Sequence, residues 1–286
     1  MSDAICYLNG EYLPLDEACV PVLDRGFIFG DGVYEVIPVY AGKLFRLDHH
    51  LQRLSNSLNS IYLSNPLSDE DWSTTLQQVV DRNGDGDQSL YLQVTRGVAK
   101  RDHGFPEATR PTVFVMSNPF KPVDSKLLEQ GVAAITLEDI RWQYCHIKSI
   151  ALLPNILLRQ QALEADAAEA ILIKQDKVTE GAASNVFIVL DGILLTPPIG
   201  ECLLPGITRD LVVELADKNG INNEQRDISR EELEHAEEIW VTSSTREILP
   251  VTRLDGKLVG DGNPGPVWEK MYRIYQDYKD SLRRAS

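Results

Sequence analysis

Tight two-residue turns ending in glycine constrain this chain more than any other feature. Asn9-Gly10 follows Ile5-Cys-Tyr-Leu and precedes Glu11-Tyr-Leu. Ala41-Gly42 separates Gly32-Val-Tyr-Glu-Val-Ile-Pro-Val-Tyr from Lys43-Leu-Phe-Arg, and Asp191-Gly192 and Asp255-Gly256 punctuate the second half in the same way. Asn, Asp and Gly tolerate the positive φ that such turns demand, so each pair predicts a hairpin of antiparallel neighbours. Ser89–Arg96, Thr112–Ser117, Val132–Leu137, Ala170–Ile173, Asn185–Leu190, Ile193–Thr196 and Glu238–Thr242 read as further strands.

Helical spacing appears between these strands. Leu47, Leu51, Leu54, Leu58 and Ile61 recur on one face. Ser68-Asp-Glu-Asp and Ser229-Arg-Glu-Glu resemble capping boxes, the first opening a helix to about Arg82. Further helices are expected from Pro154 to about Ala165, from Thr208 to Lys218 with a stop at Gly220, and from about Val267 to Arg283. Strands dominate both halves with helices packed on them, which predicts an α+β chain of two domains. A small α+β domain is expected over 1–118, an interdomain linker over the Pro-containing stretch 119–131, and a large domain over 132–286.

Composition removes several function classes. There are 43 acidic against 28 basic residues, a net charge of -15. A nucleic-acid binder wants a basic face, and none is visible. No apolar run reaches the ~18 residues of a membrane helix, and the N-terminus lacks the basic-then-apolar pattern of a secretory signal. Cys6, Cys19, Cys145 and Cys202 are scattered without CxxC pairing and read as reduced thiols, so a cytoplasmic chain is expected.

Few local motifs carry chemistry. Asp81-Arg-Asn-Gly-Asp-Gly follows the start of a calcium loop, but the twelfth position is Leu92 where a bidentate Glu belongs, so no metal is expected. Gly26, Gly30 and Gly32 do not make a dinucleotide fingerprint and read as a Gly-rich strand-entry loop. His49, His50 and His235 fall on helices, as surface or packing residues. Arg101 and His103 share a polar loop after a strand, where a guanidinium fork and an imidazole suit a carboxylate; a plain solvated loop is the alternative. Lys148 lies in a mostly apolar stretch. Burial there would lower its pKa and make it a nucleophile or Schiff-base former, whereas an amine held in solvent at a strand edge would be inert. Gly206-Ile207-Thr208 opens a helix whose free N–H groups suit phosphate, and Thr242–Thr245 could add hydroxyls.

In order and spacing these pieces resemble one family, the fold-type IV (class IV) pyridoxal-phosphate aminotransferases, and within it the branch specific for D-amino acids. The resemblance runs through Asp24–Glu35, Leu51–Leu54, Gln93–Gly97 with Arg101-Asp-His103, Glu138–Trp142, Ile147-Lys148-Ser149, Val178–Gly181 with Ser184–Phe187, Leu204–Arg209 and Val241–Ile248. It implies a smaller N-terminal domain, a larger C-terminal domain with a β-barrel-like core, a site between them, and a homodimer that shares residues between subunits. It implies that Lys148 carries the cofactor as a Schiff base and shuttles the proton, and that Glu180 pairs with the ring nitrogen. Arg53, Ile207, Thr208, Ser243 and Ser244 would hold the phosphate, and Tyr34, Arg101 and His103 the substrate carboxylate. The implied reaction moves an amino group between a D-amino acid and a 2-oxo acid by way of pyridoxamine phosphate. Branched-chain L-aminotransferases and aminodeoxychorismate lyases are the alternatives on the same fold. Ala182 and Ala183 stand where D-specific relatives carry serines, Ser244 replaces a Thr, and His146 replaces an Asp. If that last segment is extended, His146 and Lys148 share a face.

Overall fold

The computed structural model describes residues 4–284. Contacts divide the chain into two compact units. The first runs to Lys121 and takes in Ile147–Leu152; the second is Pro122–His146 with the chain from Leu153 onward. Six residues that the sequence reading groups with the large domain, Lys148 among them, therefore belong to the first unit.

The first unit is built on one antiparallel sheet. Its strands are β1 (Ile5–Leu8), β2 (Glu11–Pro14), β3 (Gly32–Tyr40), β4 (Lys43–Leu44), β5 (Gln88–Thr95) and β6 (Thr112–Pro119), in the order β2-β1-β6-β5-β3-β4. Asn9-Gly10 and Ala41-Gly42 turn the hairpins as the pattern predicts, with positive φ at all four residues. α1 (Arg25–Phe29) forms where the sequence reads as loop; its five residues are too few to show a period, but Asp24 caps it by accepting from Gly26 N at 2.8 Å. Gly30 closes it in the left-handed conformation, where a side chain would be strained. α2 (Leu47–Ser60) and α3 (Asp69–Arg82) pack an apolar face on the sheet. Leu54, Leu58, Trp72, Leu76, Val33, Ile37, Leu90 and Leu92 are all fully buried in this core. Removing one, as in Leu54→Ala, is expected to cost about 2–5 kcal/mol. Ser68 caps α3 through Asp71 N at 3.1 Å, although no Glu reaches back to complete a capping box.

The second unit opens with α4 (Ser125–Gln130), a short helix inside the stretch expected as linker. Its sheet comprises β7 (Val132–Glu138), β8 (Glu169–Lys174), β9 (Lys177–Gly181), β10 (Asn185–Leu190), β11 (Ile193–Thr196), β12 (Asn223–Gln225), β13 (Glu238–Ser243), β14 (Glu247–Leu254) and β15 (Lys257–Leu258). The strand order is β12-β11-β10-β13-β14-β7-β8-β9, with β15 on β14. β9 and β10 are five places apart in that order yet touch, so the sheet curls into a partial barrel. α5 (Leu153–Glu164), α6 (Ile207–Lys218), α7 (Arg230–Glu234) and α8 (Pro266–Arg284) surround it. Ser229 forms the full capping box of α7. Val186, Ile188, Ile171, Ile239, Val241 and Leu249 fill the core. The architecture is α+β, as the patterning predicts.

Candidate functional site

In the first unit the chemistry gathers around β3. Val33, Glu35 and Ile37 share its core-facing side, so a carboxylate sits where only apolar groups belong, at 0% exposure. Burying a charge is costly unless it is paired, and α2 supplies the partners. His50, Arg53 and Ser57 recur at helical spacing on its inner face. Arg53 Nε donates to Glu35 Oε1 at 2.8 Å and its Nη2 to Oε2 at 2.7 Å, while His50 Nδ1 lies 2.8 Å from Oε2. Burial raises the Glu35 pKa, but the guanidinium fork and the imidazole outweigh it and hold the carboxyl at about 2. His50, expected as a surface or packing residue, is fully buried; desolvation lowers its pKa, and its Nε2 finds no hydrogen-bond partner among the described residues.

Lys148 is laid beside the same strand. Tyr34 N donates to Lys148 O at 2.9 Å and Ile150 N to Gly32 O at 3.1 Å, with Val33 and Ser149 bridged between them. Lys148 N donates to Ser57 Oγ at 3.2 Å, one helical turn beyond Arg53. The half-buried amine Nζ sits 4.2 Å from the centroid of the Tyr34 ring, which in turn stacks on Tyr91 at 5.7 Å. Lys148, Tyr34 and Arg53 are thus one neighbourhood. His146 does not share a strand face with Lys148, because the chain turns at Cys145 and His146. Its buried Nδ1 has no hydrogen-bond partner among the described residues, and its ring stands edge-on to Tyr144.

Arg101 and His103 lie on an exposed loop of the first unit, against the ring of Phe29. The calcium-like Asp81–Gly86 stretch is the end of α3 and a turn. Asn83 in it bridges to Ile5, and no group of His, Cys, Asp and Glu among the described residues could hold a metal.

In the second unit Glu180 is the penultimate residue of β9, 5% exposed. Its Oε1 accepts from Arg141 Nη1, and its Oε2 from Asn185 Nδ2 at 3.1 Å and Leu204 N at 3.0 Å. Arg141 is shared: its Nε donates to Asp139 Oδ1 at 2.9 Å and its Nη2 to Oδ2 at 2.8 Å. Burial dominates at Glu180 and pushes its pKa up to about 7, against the pull of Arg141. Asn185 also donates to Leu204 O at 2.9 Å, and its Oδ1 would lie 1.9 Å from any Cβ placed on Gly206, which explains the glycine. Gly206 is the N-cap of α6 and no side chain caps that end, so Ile207 and Thr208, both buried, lead a helix whose first N–H groups have no intrahelical acceptor. Thr242 pairs with Asn185 across β10 and β13, and its buried hydroxyl has no partner among the described residues. Ser243 Oγ accepts from Arg246 N at 3.2 Å, and Ser244 begins the turn into β14. Glu180, Asn185, the start of α6 and Thr242–Ser243 form one connected cluster.

Sequence reasoning missed Glu35, His50, Arg141 and Asn185 as site-builders. Glu35 carries a legible signal, an acid at core-facing parity between Val33 and Ile37, followed by His50 and Arg53 three residues apart. Arg141 carries no periodic signal, because its contact with Glu180 spans 39 residues of chain; Asn185 lies only five residues from Glu180, but nothing in the spacing says that the two side chains meet.

The family model for amino-transferase class IV matches residues 32–254. The D-alanine aminotransferase of Bacillus licheniformis is 42% identical over 269 residues, covering 94% of this chain and 95% of its own length. That of Staphylococcus aureus (strain COL) is 39% identical over 96% of this chain and 98% of its own. Among solved structures, the branched-chain amino acid aminotransferase of Escherichia coli superposes with a TM-score of 0.92 at 27% identity, covering 97% of this chain and 94% of that one. The branched-chain amino acid aminotransferase of T.th., solved with pyridoxamine 5'-phosphate, gives 0.93 at 25% identity over 100% and 96%. A family match across most of the chain, with near full-length relatives, is decisive: the chain belongs to the amino-transferase class IV family.

Proposed function

We propose that this protein is a pyridoxal-phosphate aminotransferase that moves an amino group between D-amino acids and 2-oxo acids, in the manner of D-alanine and D-glutamate transamination. The observation that carries the reading is Glu180, a buried carboxylate fixed beside an uncapped helix start, in a chain 42% identical to a D-alanine aminotransferase. The donor set fits the cofactor. In the second unit the first N–H groups of α6 at Ile207 and Thr208, the Thr242 hydroxyl that has no partner among the described residues, Ser243 and Ser244 suit a phosphate, and Arg53 of the first unit is assigned to the same group. Glu180 suits a ring nitrogen that must stay protonated. When bound, pyridoxal phosphate supplies an aldehyde that captures amino groups and a ring that accepts the electrons of a broken Cα–H bond.

Each residue then has a definite task. Lys148 Nζ holds the cofactor at rest, removes the Cα proton and returns it. The Tyr34 ring, 4.2 Å from that nitrogen, limits where the amine can point. Glu180 keeps a proton at the ring nitrogen, and Arg141, Asn185 and Leu204 N keep Glu180 in place. Arg101 and His103, with Tyr34, bind the substrate carboxylate and present one hand of Cα–H to the lysine. Lys148→Ala is expected to lower amino transfer at least about 10³-fold and to remove the lysine-linked absorbance band. Turnover of D-alanine and D-glutamate should exceed that of the L forms. Faster L turnover would favour the branched-chain reading that the solved structures keep open, and pyruvate release from aminodeoxychorismate without amino transfer would favour the lyase.

A homodimer is part of the reading. Val22, Leu23 and Phe27 stand 72%, 48% and 77% exposed on the first unit, an apolar surface that a second copy would cover. Light scattering coupled to size exclusion should give twice the 32.0 kDa chain mass. The cytoplasm suits the four free cysteines, and among the described residues no helix is long and apolar enough to cross a membrane.

A further inference from the structure

The loop bearing Arg101 and His103 is exposed but firmly held. Arg25 in α1 is 4% exposed and sends Nη1 to two of the loop's carbonyls, Asp102 O at 2.6 Å and Gly104 O at 3.3 Å. Its Nε donates to Asp31 Oδ2 at 2.7 Å. The same carboxylate receives Arg96, Nε at 2.8 Å and Nη2 at 3.1 Å. Arg96 in turn lies over the Phe105 ring at 3.9 Å and donates to Ile61 O at 2.7 Å. Two arginines sharing one acid therefore grip the loop at positions 102, 104 and 105. Within it, Asp102 Oδ1 accepts from Gly104 N at 2.9 Å.

Phe29, the last residue of α1, completes this frame. The His103 imidazole lies 5.5 Å from its ring centroid, tilted at 42°. The Arg101 guanidinium lies 5.5 Å from the same centroid, and the Arg25 guanidinium 4.8 Å. One half-buried ring thus touches both side chains assigned to the substrate carboxylate, and the arginine that fixes their backbone. An exposed arginine otherwise samples many rotamers, and ordering it on binding weakens binding. A π face next to the guanidinium restricts that sampling before substrate arrives.

We infer that Phe29 is a positioning residue for substrate selection: it orients Arg101 and His103 as a preformed carboxylate clamp, with Arg25 anchoring the loop beneath them. The inference rests on the proposed reading that Arg101 and His103 bind the carboxylate. Mere packing would make Phe29 matter for stability alone; positioning makes it matter for the capture of carboxylate substrates and for their hand.

The test uses the holoenzyme with D- and L-alanine as donors and 2-oxoglutarate as acceptor. Phe29→Leu keeps apolar bulk and removes the π face, while Phe29→Tyr keeps the ring. Phe29→Leu is expected to raise KM for D-alanine roughly three- to tenfold, with kcat within about twofold. The D-over-L ratio of kcat/KM should fall by a similar factor, and Phe29→Tyr should restore both. In a chain already carrying Arg101→Ala and His103→Ala, which itself raises KM, Phe29→Leu should add nothing. If Phe29→Leu leaves KM and the D-over-L ratio unchanged while the double alanine variant raises KM, positioning is overturned and the carboxylate reading stands. If the double alanine variant leaves KM unchanged, both fall. An equal rise on Phe29→Leu in either background also overturns positioning, because the effect would not pass through the two clamp residues. Melting curves on every variant, read alongside KM on the folded fraction, distinguish these outcomes from a loss of folding.

Discussion

Glu35 and Glu180 are both buried, both within reach of an arginine, and displaced in opposite directions. Glu35 is held at about 2 and Glu180 is raised to about 7. The difference lies in how each guanidinium is divided. Arg53 turns Nε and Nη2 onto the two oxygens of Glu35, and His50 adds a third contact. Arg141 turns the matching pair, Nε and Nη2, onto Asp139, leaving a single nitrogen for Glu180, and the Asp139 charge pushes the Glu180 pKa further up. Burial raises both acids; a full fork reverses it and a shared fork does not. Glu35 is thereby a fixed anion that braces an arginine. Glu180 can gain or lose a proton near neutrality, as a group that partners a titrating nitrogen must.

The largest expected effect breaks the first pair. Arg53→Ala strands a fully buried carboxylate and should destabilise the fold by about 3–5 kcal/mol in urea unfolding, with His50 alone left to pair it. Acid reaches the same pair without mutation. The Glu35 pKa is lowered, so its contribution is present above its usual 4.5 and is lost as pH falls from there through about 2. Over that window the cofactor-stripped chain should lose about 3 kcal/mol, at about 1.36 kcal/mol for each pH unit between the two values. Glu180 has the reverse sign. Its raised pKa means the folded chain binds the proton more tightly, so stability falls as pH rises from 4.5 through about 7. Glu180→Gln should flatten that decline and gain about 1–2 kcal/mol at about pH 8 in the stripped chain, while lowering amino transfer. The smallest effect sharpens the contrast: Asp139→Asn removes the competitor for Arg141, and carbon-detected NMR titration should then find the Glu180 pKa lower by about one pH unit. No downward movement would show that Asp139 is not what weakens Arg141's hold on Glu180.

Much of this is legible in the chain, and the boundary has a physical cause. Short-range signals carry through. Asn9-Gly10, Ser68 and Ser229 act within three residues of themselves, and each turn or cap sits where the pattern puts it. α1 and α4 escape because five or six residues hold no period, and β9 because the short Lys177–Gly181 stretch stands out for its glutamate and not for any alternation. The candidate site divides likewise. Glu180 and Lys148 can be singled out by resemblance. Their settings cannot, since Arg141 and Ser57 reach them across 39 and 91 residues of chain. Long-range pairing of polar groups leaves no periodic trace.

The excursion of Ile147–Leu152 into the first unit bears on how the molecule is made. A ribosome delivers the strands of the six-stranded sheet by Pro119, yet Ile147 of that unit's core and the Lys148 carbonyl that accepts from Tyr34 N come later. Until they emerge, the N–H of Tyr34 and the C=O of Gly32 lack their native partners along β3. The native contacts of the first unit therefore cannot all form until the segment that carries Lys148 has been synthesised, which couples completion of that core to the arrival of the lysine.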